Sequence, residues 1–193
     1  SDATFCAALL DKYPYLLRYL SNTLKSDRDI VLASVKRDGD VLRFVSKSLR
    51  NDAEIVRESV KNRPSSFQYA TNEIRNNEAF VLALLDEVQS SYDRRKMLRY
   101  ISNPNILFKV IMKDPHGLTY LSNEFRNNKE LALIALSQNG GILKHVSSEL
   151  KDDKELVLAA LYAQNYSVTY KRTLLSYASR RLQNDASLLR ALD

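Results

Sequence analysis

Cysteine is nearly absent from this 193-residue chain: Cys6 stands alone. That excludes an internal disulfide framework and a zinc site built on cysteines. It fits a reducing compartment or a short extracellular passage. Glycine and proline are scarce at four each, too few for a disordered chain or a turn-rich β fold. No apolar run approaches the roughly 20 residues that a membrane-spanning helix needs, and no cleavable signal pattern opens the chain. Histidine is limited to His116 and His145, which with Cys6 offer no evident metal ligand set. There is no glycine-rich phosphate loop and no paired-carboxylate motif above background. No cofactor and no catalytic residue is implied.

What is there is a globular composition, 45% hydrophobic and 27% charged, in a chain long enough to bury a core. The net charge of +6 is compatible with acidic partners, with nucleic acid or with solubility alone.

The dominant feature is self-similarity. A nine-residue phrase reads "SLRNDAEIV" at 48–56, "EIRNNEAFV" at 73–81, "EFRNNKELA" at 124–132 and "ELKDDKELV" at 149–157. Looser copies start at 23 and 181, and a decayed copy, "RYISNPNIL", starts at 99. A fixed period near 25 residues signals stacked repeats. The register gives repeats near 2–26, 27–51, 52–76, 77–102, 103–127, 128–152 and 153–184. Each opens with apolar residues at i, i+1, i+4 and i+5, such as Leu156, Val157, Ala160 and Leu161, a helical period. A second stretch carries apolar residues at i, i+3 and i+7, such as Leu42, Val45 and Leu49, and predicts a second helix of about 10 residues. Pro14, Gly39, Pro64, Pro115 and Gly140 fall in one column between the two stretches and mark the turn. Pro104 falls where a first helix starts. The expected fold is all-α, an α-solenoid of about seven two-helix repeats forming one domain over 1–193. The chain begins and ends inside helical patterns, so a fragment of a larger protein is expected.

The recurring phrase parses as a junction. Leu49 anchors the end of one helix and Arg50 places a cation near its C-terminus. Asn51 is predicted to cap the next helix, with Glu54 completing a capping box. Asn127 with Glu130, Asp152 with Glu155 and Ser26 with Asp29 follow the same spacing. The pattern LRNDxEIVLxxVKxxGxxLxxxS, readable across 49–71 and 125–147, resembles a family of short bacterial repeats known as domain of unknown function 4116. The resemblance carries no assigned chemistry. It implies a module of larger proteins, among them effectors that intracellular bacteria inject into host cells, and hence secretion into host cytoplasm.

Residues outside the stacking rule are the candidate sites. Tyr19, Phe44, Tyr69 and Tyr120 share one position, with His145 in the sixth repeat and Tyr177 in the seventh. Such a column can stack bases or grip a peptide, but bulky aromatics are normally buried, so packing between repeats is the expectation, with His145 packed alike. The Ser or Thr two residues on (Ser21, Ser46, Thr71, Ser122, Ser147, Ser179) is expected to permit close approach. His116, beside Asp114 in the turn "DPHG", could be an oriented base, but sequence places no nucleophile near it. The fourth and seventh repeats depart from the pattern. The fourth carries Arg94, Arg95, Lys96 and Arg99, and the seventh adds Lys171, Arg172, Arg180 and Arg181. These basic segments suit phosphate or an acidic protein surface. The leading expectation is a non-catalytic scaffold with a protein partner. Its rivals are binding of nucleic acid or another polyanion through the basic segments, and a regulatory arm of an enzyme whose catalytic domain lies outside this chain.

Overall fold

A computed structural model of the chain describes residues 8–192. Cys6 lies outside the described residues. The longer helices are α1 (Arg28–Arg37), α2 (Ala53–Asn62), α3 (Glu78–Glu87), α4 (Ser91–Leu98), α5 (Pro104–Lys113), α6 (Lys129–Gln138), α7 (Lys154–Tyr162) and α8 (Val168–Leu175). There is no strand among the described residues, and none of their helices is long and apolar enough to cross a membrane. The protein is an all-α repeat protein.

Lead helices form where the apolar pattern put them. Ile30, Val31, Ser34 and Val35 are buried on α1, and Ile55, Val56, Ser59 and Val60 on α2. Leu131, Ala132, Ala135 and Leu136 repeat the pattern on α6, and Leu156, Val157, Ala160 and Leu161 on α7. A ten-residue helix is marginal alone. Each buried aliphatic side chain contributes about 1.5–3 kcal/mol, so packing against the neighbouring repeat decides its stability. The buried serines of α1 and α2 are satisfied. Ser34 Oγ donates to Ile30 O at 2.8 Å, and Ser59 Oγ donates to Gly39 O at 2.8 Å in the preceding repeat.

The second stretch is not the ten-residue helix that its spacing predicts. It opens as a six-residue 3-10 helix at Pro14–Tyr19, Gly39–Phe44, Pro64–Tyr69, Pro115–Tyr120 and Gly140–His145. Each segment begins on a residue of the Pro/Gly column. It ends at Leu20, Val45, Ala70, Leu121 or Val146, whose backbones are extended. A separate short turn follows, such as Leu49–Asn51 or Asn123–Arg126. Spacing of i and i+3 is common to α and 3-10 helices, so the apolar pattern survives while the helix is split. Glycine is needed at Gly39 and Gly140 for close approach. A Cβ there would stand 2.2 Å from Ser59 O and from Ala160 O of the next lead helix.

The junction is also read one residue differently. The cap is Asp27, Asp52, Asn77, Asn128 or Asp153, the residue after the predicted one. Asp52 Oδ1 accepts from Glu54 N at 2.9 Å and Ile55 N at 3.0 Å. Asp27 does the same for Asp29 and Ile30. Glu54 and Asp29 are thus the second residues of their helices, where their charge suits the macrodipole but completes no capping box. The residue predicted to cap instead reaches the next repeat. Asn51 Oδ1 accepts from the Thr71 hydroxyl, Asn127 Oδ1 from Ser147 Oγ at 2.5 Å, and Asp152 Oδ1 from the Ser179 hydroxyl. Asn76 Oδ1 takes the Ser102 backbone N–H at 2.7 Å. Backbone bonds run alongside, from Ser46 N to Lys25 O, Thr71 N to Arg50 O and Ser179 N to Lys151 O. The Ser/Thr column is therefore a tie between repeats, beyond permitting close approach.

The chain divides into two compact units, one ending at Ile106 and one beginning at Leu107. The boundary falls inside α5, away from any glycine. Within the first unit, α1 packs on α2, and the 3-10 segments Pro14–Tyr19, Gly39–Phe44 and Pro64–Tyr69 pack in series. Within the second unit, α6 packs on α7, and Pro115–Tyr120 packs on Gly140–His145.

Candidate interaction surface

The two irregular repeats share one structural change. In the fourth and seventh, the 3-10 segment is replaced by an eight-residue α-helix, α4 or α8, capped by Ser90 or Ser167. Met97 and Leu98 on α4 match Leu174 and Leu175 on α8 as buried anchors. Arg94 and Arg95 thus correspond to Lys171 and Arg172. The fourth repeat also omits the short turn, running from Leu98 directly to α5.

The eight basic candidates are divided between the two units. Arg94, Arg95, Lys96 and Arg99 belong to the first unit and Lys171, Arg172, Arg180 and Arg181 to the second. On α4, Arg94 and Arg95 are half-buried. Lys96 Nζ lies 4.2 Å from the Tyr92 ring centroid, and its hydrogen bond with Tyr92 holds the ammonium above its ordinary value. Lys96 and Arg99 border a depression lined also by Pro64, Ser65, Asp93 and Tyr100. In the second unit two candidates have structural partners. Lys171 Nζ donates to Ala191 O at 3.0 Å and sits over Tyr162. Arg181 Nε lies 3.1 Å from Asp152 Oδ1, and Arg181 Nη2 donates to Asp152 O at 2.8 Å. The Ser179 hydroxyl and Arg181 together hold the Asp152 carboxyl below the usual range. Arg172 and Arg180 are exposed.

The aromatic column is only partly packed between repeats. Tyr19 is 71% exposed. Phe44, Tyr69, Tyr120 and Tyr177 are half-buried, and His145 is exposed. The physical reason is the split second stretch. Leu42 and Val45 on either side of Phe44 go into the core, and a 3-10 segment ending in extended backbone leaves the residue between them at the surface. The column has a further member, Tyr100, because the sequence carries a pentapeptide: "LRYLS" at 17–21, "LRFVS" at 42–46, "FQYAT" at 67–71, "LRYIS" at 98–102, "LTYLS" at 118–122, "LKHVS" at 143–147 and "LSYAS" at 175–179. Reading 99–107 as a decayed junction phrase hides the copy at 98–102. Arg99 then ceases to be a departure, since it shares its position with Arg18 and Arg43.

Guanidinium groups accompany these aromatic rungs in the first unit. Arg18 lies 4.9 Å from the Tyr19 centroid and 5.7 Å from that of Phe44, bridging successive repeats. Arg43 lies 4.7 Å from Phe44. Arg50 Nη1 donates to Tyr69 O at 3.3 Å. Arg75 lies beside Tyr100, and burial holds its guanidinium below its ordinary value. The second unit differs. Arg126 is bonded to Asn123, and Lys151 Nζ donates to Lys144 O at 2.9 Å. Partial burial, with Lys144 and Lys151 nearby, holds His145 below the ordinary imidazole value.

Asp114 accepts from the His116 backbone N–H at 3.2 Å, the bond that caps its 3-10 segment, and His116 Nε2 lies 3.0 Å from Asn139 Nδ2. No group of His, Cys, Asp and Glu able to hold a metal occurs among the described residues.

A family model described as Domain of unknown function (DUF4116) matches residues 4–50, 52–105, 103–151 and 128–183. The chain belongs to this family. Each DUF4116 match spans two of the 25-residue repeats, and three of them begin at 52, 103 and 128, the first residues of repeats in the register above. No curated protein and no solved structure matches the chain.

Proposed function

We propose that this DUF4116 chain is a non-catalytic scaffold, an α-solenoid in architecture, that binds another protein. The observation that carries the reading is how the repeat divides its polar and aromatic groups. Its recurring Asn, Asp, Ser and Thr side chains are engaged in caps and in ties between repeats, whereas its recurring aromatics lie partly in solvent, Tyr19 exposed and Phe44, Tyr69, Tyr120 and Tyr177 half-buried. Aromatic residues and arginine are the groups enriched at protein interfaces. Following the resemblance, we place the scaffold within a larger bacterial effector, which a translocation reporter fused to the full-length protein would test. The scaffold reading itself is tested by capture on the intact chain, with and without nuclease, followed by reconstitution with the purified captured protein. The reading expects a nuclease-resistant complex of fixed stoichiometry by light scattering. Retention of nucleic acid alone, or failure of the purified protein to rebind, would contradict it.

A second reading, polyanion binding, draws on the exposed Arg172 and Arg180. It requires log affinity to fall linearly with log salt. No binding of generic RNA or DNA at low salt would sink it.

A further inference from the structure

We propose that the aromatic row of the first unit takes an extended acidic segment of the partner protein, its carboxylates seated on the guanidiniums beside the rungs. This rests on the protein-binding reading above and names the chemistry of the partner.

The charge is uncompensated where the row lies. Arg18, Arg43, Arg50, Arg75 and Arg99 have no ion pair among the described residues. Carboxylates of the same unit are engaged elsewhere. Asp52 and Glu54 pair with Arg28, and Asp38 and Asp40 with Arg63. A guanidinium laid over a ring keeps its N–H edge available for bidentate bonds to a carboxylate. Arg18, between Tyr19 and Phe44, is arranged in that way.

The same placement argues against single-stranded nucleic acid. Base binding on an aromatic row needs open ring faces, and between the first two rungs the space is taken by Arg18. What remains is a row of partly exposed rings accompanied by the cations Arg18, Arg43 and Arg99. Packed helical elements lie about 8–10 Å apart, and an extended chain advances about 3.3 Å per residue. One rung thus meets about three residues, and the rungs Tyr19, Phe44, Tyr69 and Tyr100 suit a segment of about 10–12 residues.

The test uses the whole chain and a fluorescent glutamate-rich peptide of about 12 residues containing two phenylalanines. Its glutamine counterpart and an oligouridylate of equal length are run beside it. Anisotropy at low salt is expected to show binding of the glutamate peptide and about tenfold weaker binding of the glutamine one. R18E/R43E is expected to weaken the glutamate peptide about tenfold or more, and R18Q/R43Q less. R172E/R180E is expected to leave it within about twofold. Circular dichroism and the urea midpoint check that each variant folds. Oligouridylate binding tighter than the peptide, and lost in R18E/R43E, would make the row a nucleic-acid surface and overturn the proposal. Dependence on Arg172 and Arg180, or no binding of the peptide, would overturn it as well. If the peptide fails while a purified partner still binds the chain, the acidic-segment inference falls and the scaffold reading stands. If no purified partner rebinds, the scaffold reading falls by itself.

Discussion

In the first unit the residue ahead of each rung is Arg18, Arg43, Gln68 and Arg99; in the second it is Thr119, Lys144 and Ser176. The buried residues flanking the rungs are alike in both units, with Leu42 and Val45 matched by Leu143 and Val146. The ties are alike too, with Asn51 to Thr71 matched by Asn127 to Ser147. Stacking is therefore alike in both units while the residue ahead of each rung is not. Uniform features report on how the repeat folds, and features confined to one unit are where a function can be sought.

The largest expected effect should be shared by both units. In Gly39→Ala and Gly140→Ala a methyl group would press on a backbone carbonyl, and overpacking of this kind costs about 1–3 kcal/mol or more. Urea midpoints should drop in both variants. A drop in only one would show that the units do not stack alike. A smaller effect separates the cap from the tie. Asp52→Ala should cost about 1 kcal/mol through the lost cap, and Asn51→Ala about 1 kcal/mol through the lost tie to Thr71. Hydrogen exchange should place the first loss at the start of α2 and the second at the backbone of residues 71–74. If Asn51→Ala instead frays α2, the cap has been assigned to the wrong residue.

The comparison can also be erased. Thr119→Arg with Ser176→Arg gives the second unit the cations of the first. At about 0.2–1 kcal/mol per exposed charge pair, the two added cations should raise acidic-peptide affinity about twofold to thirtyfold. No change would mean that arginine ahead of a rung is insufficient. The smallest effect is one of pH. His145 should titrate below about 6.5 by NMR, because partial burial favours its neutral form. Its folded value is depressed, so its contribution to stability is complete above the unfolded value and is lost as pH falls. The first unit's row has no histidine, so peptide binding there should be flat between about pH 6 and 8.

Much of this fold is legible in the sequence because repetition averages out local ambiguity. Pro14, Gly39, Pro64, Pro115 and Gly140 share a column, and each opens a 3-10 segment. Ile55, Val56, Ser59 and Val60 follow the apolar spacing and are buried. Two adjacent polar residues defeat the cap assignment. Asn51 and Asp52 can both cap, the i+3 acid favours Asn51, and only the three-dimensional register shows Asn51 turned to the next repeat. Spacing of i and i+3 does not separate an α-helix from a 3-10 segment followed by extended backbone, so the half-buried setting of Phe44 and Tyr69 follows only from the three-dimensional fold. Arg94, Arg95 and Lys96 stand out by composition, yet charge alone does not show that Arg181 is taken up by Asp152 or Lys171 by Ala191. The pentapeptide that adds Tyr100 to the row was readable, but it lies across the junction phrase.

The most direct test is an NMR titration of the isotope-labelled chain with the glutamate-rich peptide. The account predicts shift changes concentrated at residues 18–19, 43–44, 68–69 and 99–100, with the second unit nearly silent. Changes concentrated at 168–183, or spread evenly over both units, would contradict it.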